Sequence, residues 1–175
     1  MSKIIFVTGG ARSGKSRFAE EYAKKVPGQV AYLATAEALD EEMKERIEHH
    51  RGRRPKSWLT VEEPLDLAQA VKTLNGSCQV ILLDCLTLWI SNLIHQEASG
   101  VECRALEMLE ACFLNSRESG KNLILVSNEV GMGIIPDHPL NRVFSDITGR
   151  VNQFVSSQAD EVYFMISWIP MKVKP

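Results

Sequence analysis

Short apolar runs alternating with helix-period segments predict an α/β fold with a mostly parallel central sheet and helices on both faces. Runs rich in Val, Ile, Leu or aromatics recur near residues 3–8, 29–34, 57–61, 79–84, 122–127 and 161–166. Between them, apolar residues return at helical spacing, as in Phe18/Ala19/Tyr22/Ala23 and Leu39/Met43/Ile47. Leu65/Ala68/Val71, Leu106/Leu109/Phe113 and Val143/Ile147/Val151/Phe154 repeat the pattern. This alternation builds a parallel sheet, because parallel neighbours need a crossover long enough to hold a helix. Ligands of such sheets gather at the carboxyl ends of the strands.

The first run, Ile4-Ile5-Phe6-Val7, leads into Gly9-Gly10-Ala11-Arg12-Ser13-Gly14-Lys15-Ser16, a G-x-x-x-x-G-K-S pattern. A glycine-rich loop between a strand and a helix start is a phosphate cradle: its backbone N–H groups turn inward, and the helix N-terminus adds partial positive charge. Lys15 is expected to reach the β- and γ-phosphates, and the Ser16 hydroxyl to ligate Mg²⁺. The fold expectation thus becomes P-loop NTPase-like, with a nucleoside triphosphate as the ligand.

The run Gln79-Val80-Ile81-Leu82-Leu83-Asp84 ends in an acid. Beside a phosphate loop, a carboxylate at a strand's end can hold a Mg²⁺-bound water. The same acid can also cap the helix that follows. No N-K-x-D guanine-reading motif follows any strand, which argues against a switch GTPase, and no arginine-rich lid marks a nucleoside monophosphate kinase.

A chain of 175 residues suits one domain spanning 1–175. Its net charge of −2, with both signs mixed along the chain, excludes the basic field of a nucleic-acid binder. The four cysteines, Cys78, Cys85, Cys103 and Cys112, have no metal-site spacing and are expected to be small apolar fillers in a reducing compartment. The N-terminus reaches the phosphate loop too soon to hold a signal peptide. The longest apolar stretch, Val80 to Ile94, is broken by Asp84, Ser91 and Asn92 and is too short for a membrane span. A cytoplasmic protein is expected.

The unusual segment runs from Asp40 to Pro55, with Asp40 placed to cap a helix and Pro55 to stop it. Leu39, Met43, Ile47 and His50 form its apolar stripe, so His50 tends to pack. His49 is turned away from that stripe, with Arg46 and Arg53 one turn to either side. Adjacent histidines are often a solvated helix end. Arg46, Arg51, Arg53 and Arg54 alter that weighing, because guanidinium forks match phosphate oxygens. An unprotonated imidazole can attack phosphorus to form a phosphoramidate, once nearby cations neutralise the phosphate charge. His49 is therefore the candidate nucleophile. A simple small-molecule kinase with His49 as a phosphate ligand, and a nucleotide sensor without turnover, are the competing readings.

Near the predicted strand end at 127, Ser127-Asn128-Glu129 falls where substrates gather, or else caps the following turn. Arg142, Asp146 and Arg150 form a polar stripe opposite Val143/Ile147/Val151, expected to be a solvated or subunit-facing ladder. Asp137-His138-Pro139 has the composition of a surface turn.

These residues together resemble the bifunctional adenosylcobinamide kinase/adenosylcobinamide-phosphate guanylyltransferase family of cobalamin biosynthesis, over nearly the whole chain. The carriers are Thr8 to Ser16, Tyr32-Leu33-Ala34-Thr35-Ala36, and Arg46 to Glu62 with His49-His50-Arg51 and Arg54-Pro55. Leu83-Asp84-Cys85-Leu86-Thr87, Ser127-Asn128-Glu129-Val130-Gly131-Met132-Gly133 and Asp146 to Gln153 complete them. The resemblance implies phosphorylation of the aminopropanol hydroxyl of adenosylcobinamide by ATP or GTP. It further implies GMP transfer from GTP onto adenosylcobinamide phosphate through a guanylylated histidine, here His49. It places GTP contacts on the phosphate loop, Ala34, Thr35, Ala36, His50, Arg51, Gly52, Arg53, Glu62 and Asp84, and implies a homotrimer. Two positions depart from the family's pattern. Asp84 stands where many relatives have Glu, and Trp168 where Gly is usual, at a place where φ > 0 would suit glycine.

Overall fold

The computed structural model describes residues 2–38, 40–74, 76–97 and 99–175; the side chains of Arg46 and Arg53 lie outside the described set. Leu39, expected on the apolar stripe of the histidine helix, also lies outside it.

The elements run β1 (Ile4–Gly9), α1 (Lys15–Lys25), β2 (Val30–Ala34), α2 (Glu41–Arg53), β3 (Leu59–Glu62), α3 (Leu67–Leu74) and β4 (Val80–Asp84). They continue as α4 (Leu86–Gln96), α5 (Val101–Glu118), β5 (Asn122–Val126), α6 (Pro139–Gln158), β6 (Glu161–Ile166) and β7 (Ile169–Lys174). Among the described residues the sheet has seven strands in the order β3-β2-β4-β5-β1-β6-β7. All neighbours are parallel except β6 and β7. The α/β, mostly parallel, P-loop NTPase-like expectation therefore holds.

Near-continuous apolar strands bury both faces of this sheet, and the period of two divides them. Ile4, Phe6, Ala31, Leu33, Ile81, Leu83, Leu123 and Leu125 pack on one side with buried residues of α3, α4, α5 and α6. Ile5, Val7, Val30, Tyr32, Val80, Leu82, Ile124 and Val126 pack on the other with Ala19 and Ala23 of α1. Helices thus cover both faces. Trp89 of α4 is fully buried and its indole N–H donates to Leu65 O at 2.9 Å, which removes the cost of burying that donor.

Several local expectations are corrected. The strand expected at 79–84 is β4 and helix α4 follows it from Leu86, with a cis Asp84–Cys85 peptide at the junction. Cys78, Cys85 and Cys112 are buried fillers, but Cys103 is exposed on α5 with its thiol 3.3 Å from Glu107 Oε1. Val143 is 47% exposed, so the apolar side of α6 is buried only from Ile147 onward. The polar side carries Arg150, paired with Glu102 at 2.7 Å, and Arg142, which donates to the carbonyls of Pro136 and Asp137. Asp137-His138-Pro139 is the start of α6: His138 Nδ1 accepts from Leu140 N, and Pro139 occupies the first turn, where its missing N–H costs nothing.

Past β6 the chain turns back as β7. Ser167 (φ 46) and Trp168 (φ 77) form the two-residue turn, both at positive φ. A pair of positive φ values is the hairpin geometry that suits right-handed strand twist. Glycine or asparagine usually supplies it; here Trp168 holds it.

Candidate active site

The carboxyl ends of β1, β2, β3, β4 and β5 lie along one edge of the sheet, because these strands are parallel. Every sequence element singled out for chemistry follows one of them.

The phosphate loop joins β1 to α1. Gly9 has φ 146, and a Cβ there would lie 2.5 Å from Met165 O on β6, so only glycine allows the approach. Gly14 caps α1 at φ 95, and Arg12 is left-handed at φ 57. Ser13 N donates to Gly10 O at 3.3 Å, closing the turn. Gly10 and Ala11 are exposed at its tip, and Ser16 is half-buried in the first turn of α1. Lys15 is 7% exposed, and its ammonium donates to Gly10 O at 2.6 Å, inside the loop. Burial lowers its pKa, and the charge of Asp84 opposes that shift.

Asp84 ends β4. The phenol of Tyr32 donates to its Oδ2 at 2.7 Å. Burial, and then the Asp84 charge, raise the Tyr32 pKa well above the usual phenol value, so the hydroxyl stays a donor. The Arg54 guanidinium lies 3.4 Å from the centre of the Tyr32 ring. Arg54, Tyr32 and Asp84 thus form a chain from the end of α2 to the end of β4. Sequence reasoning assigned Arg54 to a phosphate-matching cluster and gave Tyr32 no role. Tyr32 and Asp84 lie on the same face of neighbouring strands, a juxtaposition that needs the register of β2 and β4.

Of the segment after β2, Thr35 is fully buried. Its hydroxyl donates to Cys85 O at 2.7 Å and accepts from Cys85 N at 2.9 Å, while Asn92 Nδ2 donates to Thr35 O at 2.8 Å. Thr35 thereby locks the backbone that presents Asp84. Ala34 is buried and Ala36 half-buried beside it. Burial pushes the Cys85 thiol up to about 12, so it is an inert neutral group next to the acid.

The histidine helix forms as its caps predict. Asp40 Oδ1 accepts from Met43 N at 2.7 Å, and the helix ends at Arg53, two residues before Pro55. His49 is exposed and His50 half-buried, with their rings edge-on at 6.1 Å. Gly52 is exposed, and Arg51 pairs with Glu62 at the end of β3 at 2.8 Å. The Arg46 and Arg53 side chains, expected beside His49, lie outside the described residues.

The segment after β5 is fastened to the phosphate loop. Glu129 N donates to Gly9 O at 2.9 Å, Asn128 N to Thr87 Oγ1 at 2.7 Å, and Asn152 Nδ2 to Asn128 O at 3.0 Å. Glu129 Oε1 accepts from Gly131 N at 2.7 Å, the capping role weighed for it. An open groove of about 590 Å³ lies between this segment and α6, lined by residues that include Gly131, Ile134, Arg142, Asp146 and Arg150.

Asp84 and Ser16 are suited to Mg²⁺. That ion takes one or two protein oxygens and completes its shell with water and substrate phosphates. Asp84 engages only Oδ2 with Tyr32, and among the described residues no cluster of three or more His, Cys, Asp or Glu could form an all-protein metal cage.

The cobinamide kinase/cobinamide phosphate guanyltransferase family model matches residues 5–173. The bifunctional adenosylcobalamin biosynthesis protein CobU of Escherichia coli (strain K12) is 40% identical over 181 aligned residues, covering 98% of this chain and 99% of that protein. The bifunctional adenosylcobalamin biosynthesis protein CobP of Pseudomonas aeruginosa is 41% identical over 172, covering 96% of this chain and 95% of its own length. In overall fold the chain is similar to the RadB recombinase (TM-score 0.55, 14% identity, 93% of this chain and 73% of that one).

Proposed function

The chain belongs to the cobinamide kinase/cobinamide phosphate guanyltransferase family, a family of bifunctional enzymes of adenosylcobalamin biosynthesis, and from that premise we propose that one domain, 1–175, carries two successive phosphorus transfers. In the first, the aminopropanol hydroxyl of adenosylcobinamide attacks the γ-phosphorus of ATP or GTP. The new O–P bond forms as the β,γ-bridge breaks, the hydroxyl proton passes to water, and the nucleoside diphosphate leaves. Backbone N–H groups of Gly9 to Ser16 hold the phosphates, and Lys15 offsets the charge that develops between the β- and γ-positions. Ser16 and, through water, Asp84 would hold Mg²⁺, which would supply further charge neutralisation to those oxygens.

In the second, an unprotonated His49 nitrogen attacks the α-phosphorus of GTP, forming a P–N bond as pyrophosphate departs. An oxygen of adenosylcobinamide phosphate then displaces the histidine, giving adenosylcobinamide-GDP. His50, Arg51, Gly52, Arg53 and Glu62, with Ala34, Thr35 and Ala36, contact that GTP. Thr35 serves that contact by holding the strand end beside it, since its hydroxyl is committed to Cys85 and its carbonyl to Asn92. The assembly is a homotrimer, and the enzyme works in the cytoplasm; among the described residues no helix is long and apolar enough to cross a membrane.

The observation that carries this reading is one sheet edge with a buried P-loop lysine, a carboxylate at the end of β4, and an exposed histidine on the helix after β2. Incubation with α-labelled GTP is expected to leave an acid-labile, alkali-stable label on the protein. Uptake of that label by His49→Ala would contradict the nucleophile and leave His49 as a phosphate ligand of a simple kinase.

A further inference from the structure

The turn between β6 and β7 brings Trp168 onto the phosphate loop. Its amide donates to Ser13 O at 3.0 Å. Its indole lies against Gly14: a Cβ built there would sit 3.2 Å from Trp168 Cδ2 and 3.4 Å from Cε3. The Arg17 guanidinium is 4.7 Å from the centre of the same ring. Gly14 and Arg17 are three residues apart and share one side of α1, so both meet the indole from that side. With Trp168 56% exposed, the ring's remaining surface is open. The residue also holds φ 77, a left-handed conformation that a bulky side chain rarely adopts. A large, exposed aromatic in an unfavourable backbone conformation beside a ligand loop is the pattern of a functional constraint.

The position fits one part of the nucleotide. Asp84 lies on β4, two strands to one side of β1, and β6 is the neighbour on the other. With the β- and γ-phosphates drawn toward Lys15 and Asp84, the nucleoside leaves the cradle at the opposite end, over the first turn of α1. That is where the indole lies. We propose that Trp168, steadied by Arg17, is the stacking platform for the nucleobase of the triphosphate held by the P-loop. Aromatic stacking accepts any base through its π-face, so this platform raises affinity for ATP and GTP alike and for no ligand lacking a base. The inference rests on the phosphate-cradle reading of Gly9 to Ser16.

Calorimetric titration with Mg-ATP, Mg-GTP and Mg-tripolyphosphate separates the two. Trp168→Gly is expected to weaken both nucleotides by about five- to fiftyfold, to leave tripolyphosphate unchanged, and to keep or raise the thermal midpoint because glycine accepts φ 77 freely. Trp168→Phe, which keeps an aromatic face, is expected to retain most of the affinity. Nucleotide binding by Trp168→Gly equal to the parent would overturn the proposal. So would an equal loss of tripolyphosphate, which would make the indole a mere buttress of the loop. Tripolyphosphate binding that survives Lys15→Ala, or is absent from the parent protein, contradicts the cradle itself and removes the platform with it.

Discussion

Tyr32 and Asp84 are diagonal neighbours on β2 and β4: Ala34 is the register partner of Asp84 and Tyr32 that of Leu82, yet the phenol donates to the carboxylate at 2.7 Å. The bond fixes Oδ2 of Asp84, and Oδ1 is the oxygen left for the Mg²⁺-bound water proposed above. Tyr32→Phe keeps the ring under Arg54 and removes only this donor. Loss of one hydrogen bond to a charged acceptor is worth about 1.5–3 kcal/mol. We expect the Mg²⁺ concentration that half-saturates the kinase rate to change by about three- to tenfold, about 1 kcal/mol of that total. An unchanged Mg²⁺ dependence would assign the pair to packing alone.

Lys15 combines chemistry with a cost to the fold. Burial lowers its pKa, so folding disfavours its charged form. Lys15→Met keeps the aliphatic stem and removes the charge. It is expected to lower kinase turnover by about a hundredfold or more while holding or raising the thermal midpoint. A drop in both would mean that the ammonium's bond to Gly10 O organises the loop.

Arg51 and Glu62 are both more than half exposed, at 60% and 54%. Such pairs add under about 1 kcal/mol to stability, because water competes for each partner. Glu62→Gln is therefore expected to shift the thermal midpoint by no more than a degree or so, about what a few tenths of a kcal/mol produce. If Glu62 contacts GTP in the guanylylation step, the same variant raises the GTP concentration needed for half-maximal labelling of His49. Equal labelling curves would confine the pair to the surface.

Most of the strands that the sequence made legible are buried on both faces, since Ile4 to Val7 or Val80 to Leu83 can be little else, while the largely exposed edge strand β3 was marked by its apolar run near 57–61. β7 was not legible. Ile169–Lys174 contains Pro170 and two lysines, lies at the sheet edge and is largely exposed, so no burial pattern marks it. The P-loop and the capped histidine helix are local in sequence and could be placed from spacing. Tyr32 against Asp84, Arg54 on Tyr32 and Trp168 on Gly14 depend on register and on a hairpin, and spacing along one chain does not encode them. The arginine cluster was read as one phosphate fork. In three dimensions Arg51 turns to Glu62 and Arg54 to an aromatic face.

Glu161, at the start of β6, is 6% exposed and stands among four donors: Lys3 Nζ at 2.5 Å, Tyr163 OH at 2.7 Å, and Tyr22 OH and Lys172 Nζ each at 3.2 Å. The Lys3 hydrogen bond most of all holds its pKa down, from an ordinary 4.5 to about 2, against the opposing effect of burial. A carboxylate with a depressed folded-state pKa binds its proton more readily in the unfolded chain. The stability it contributes is therefore fully present above the unfolded value and is lost as pH falls toward the folded one. The window here runs from about pH 5 down to about pH 2. A shift of this size corresponds to about 3 kcal/mol at most, and screening at the half-exposed Lys3 reduces it toward about 2 kcal/mol. Urea unfolding between pH 7 and pH 2 is expected to show Glu161→Gln less stable by about that amount at neutral pH. The two curves converge as the acid protonates. Parallel curves across the whole range would mean that Glu161 contributes by shape rather than charge, and would remove this cluster from the account of acid lability.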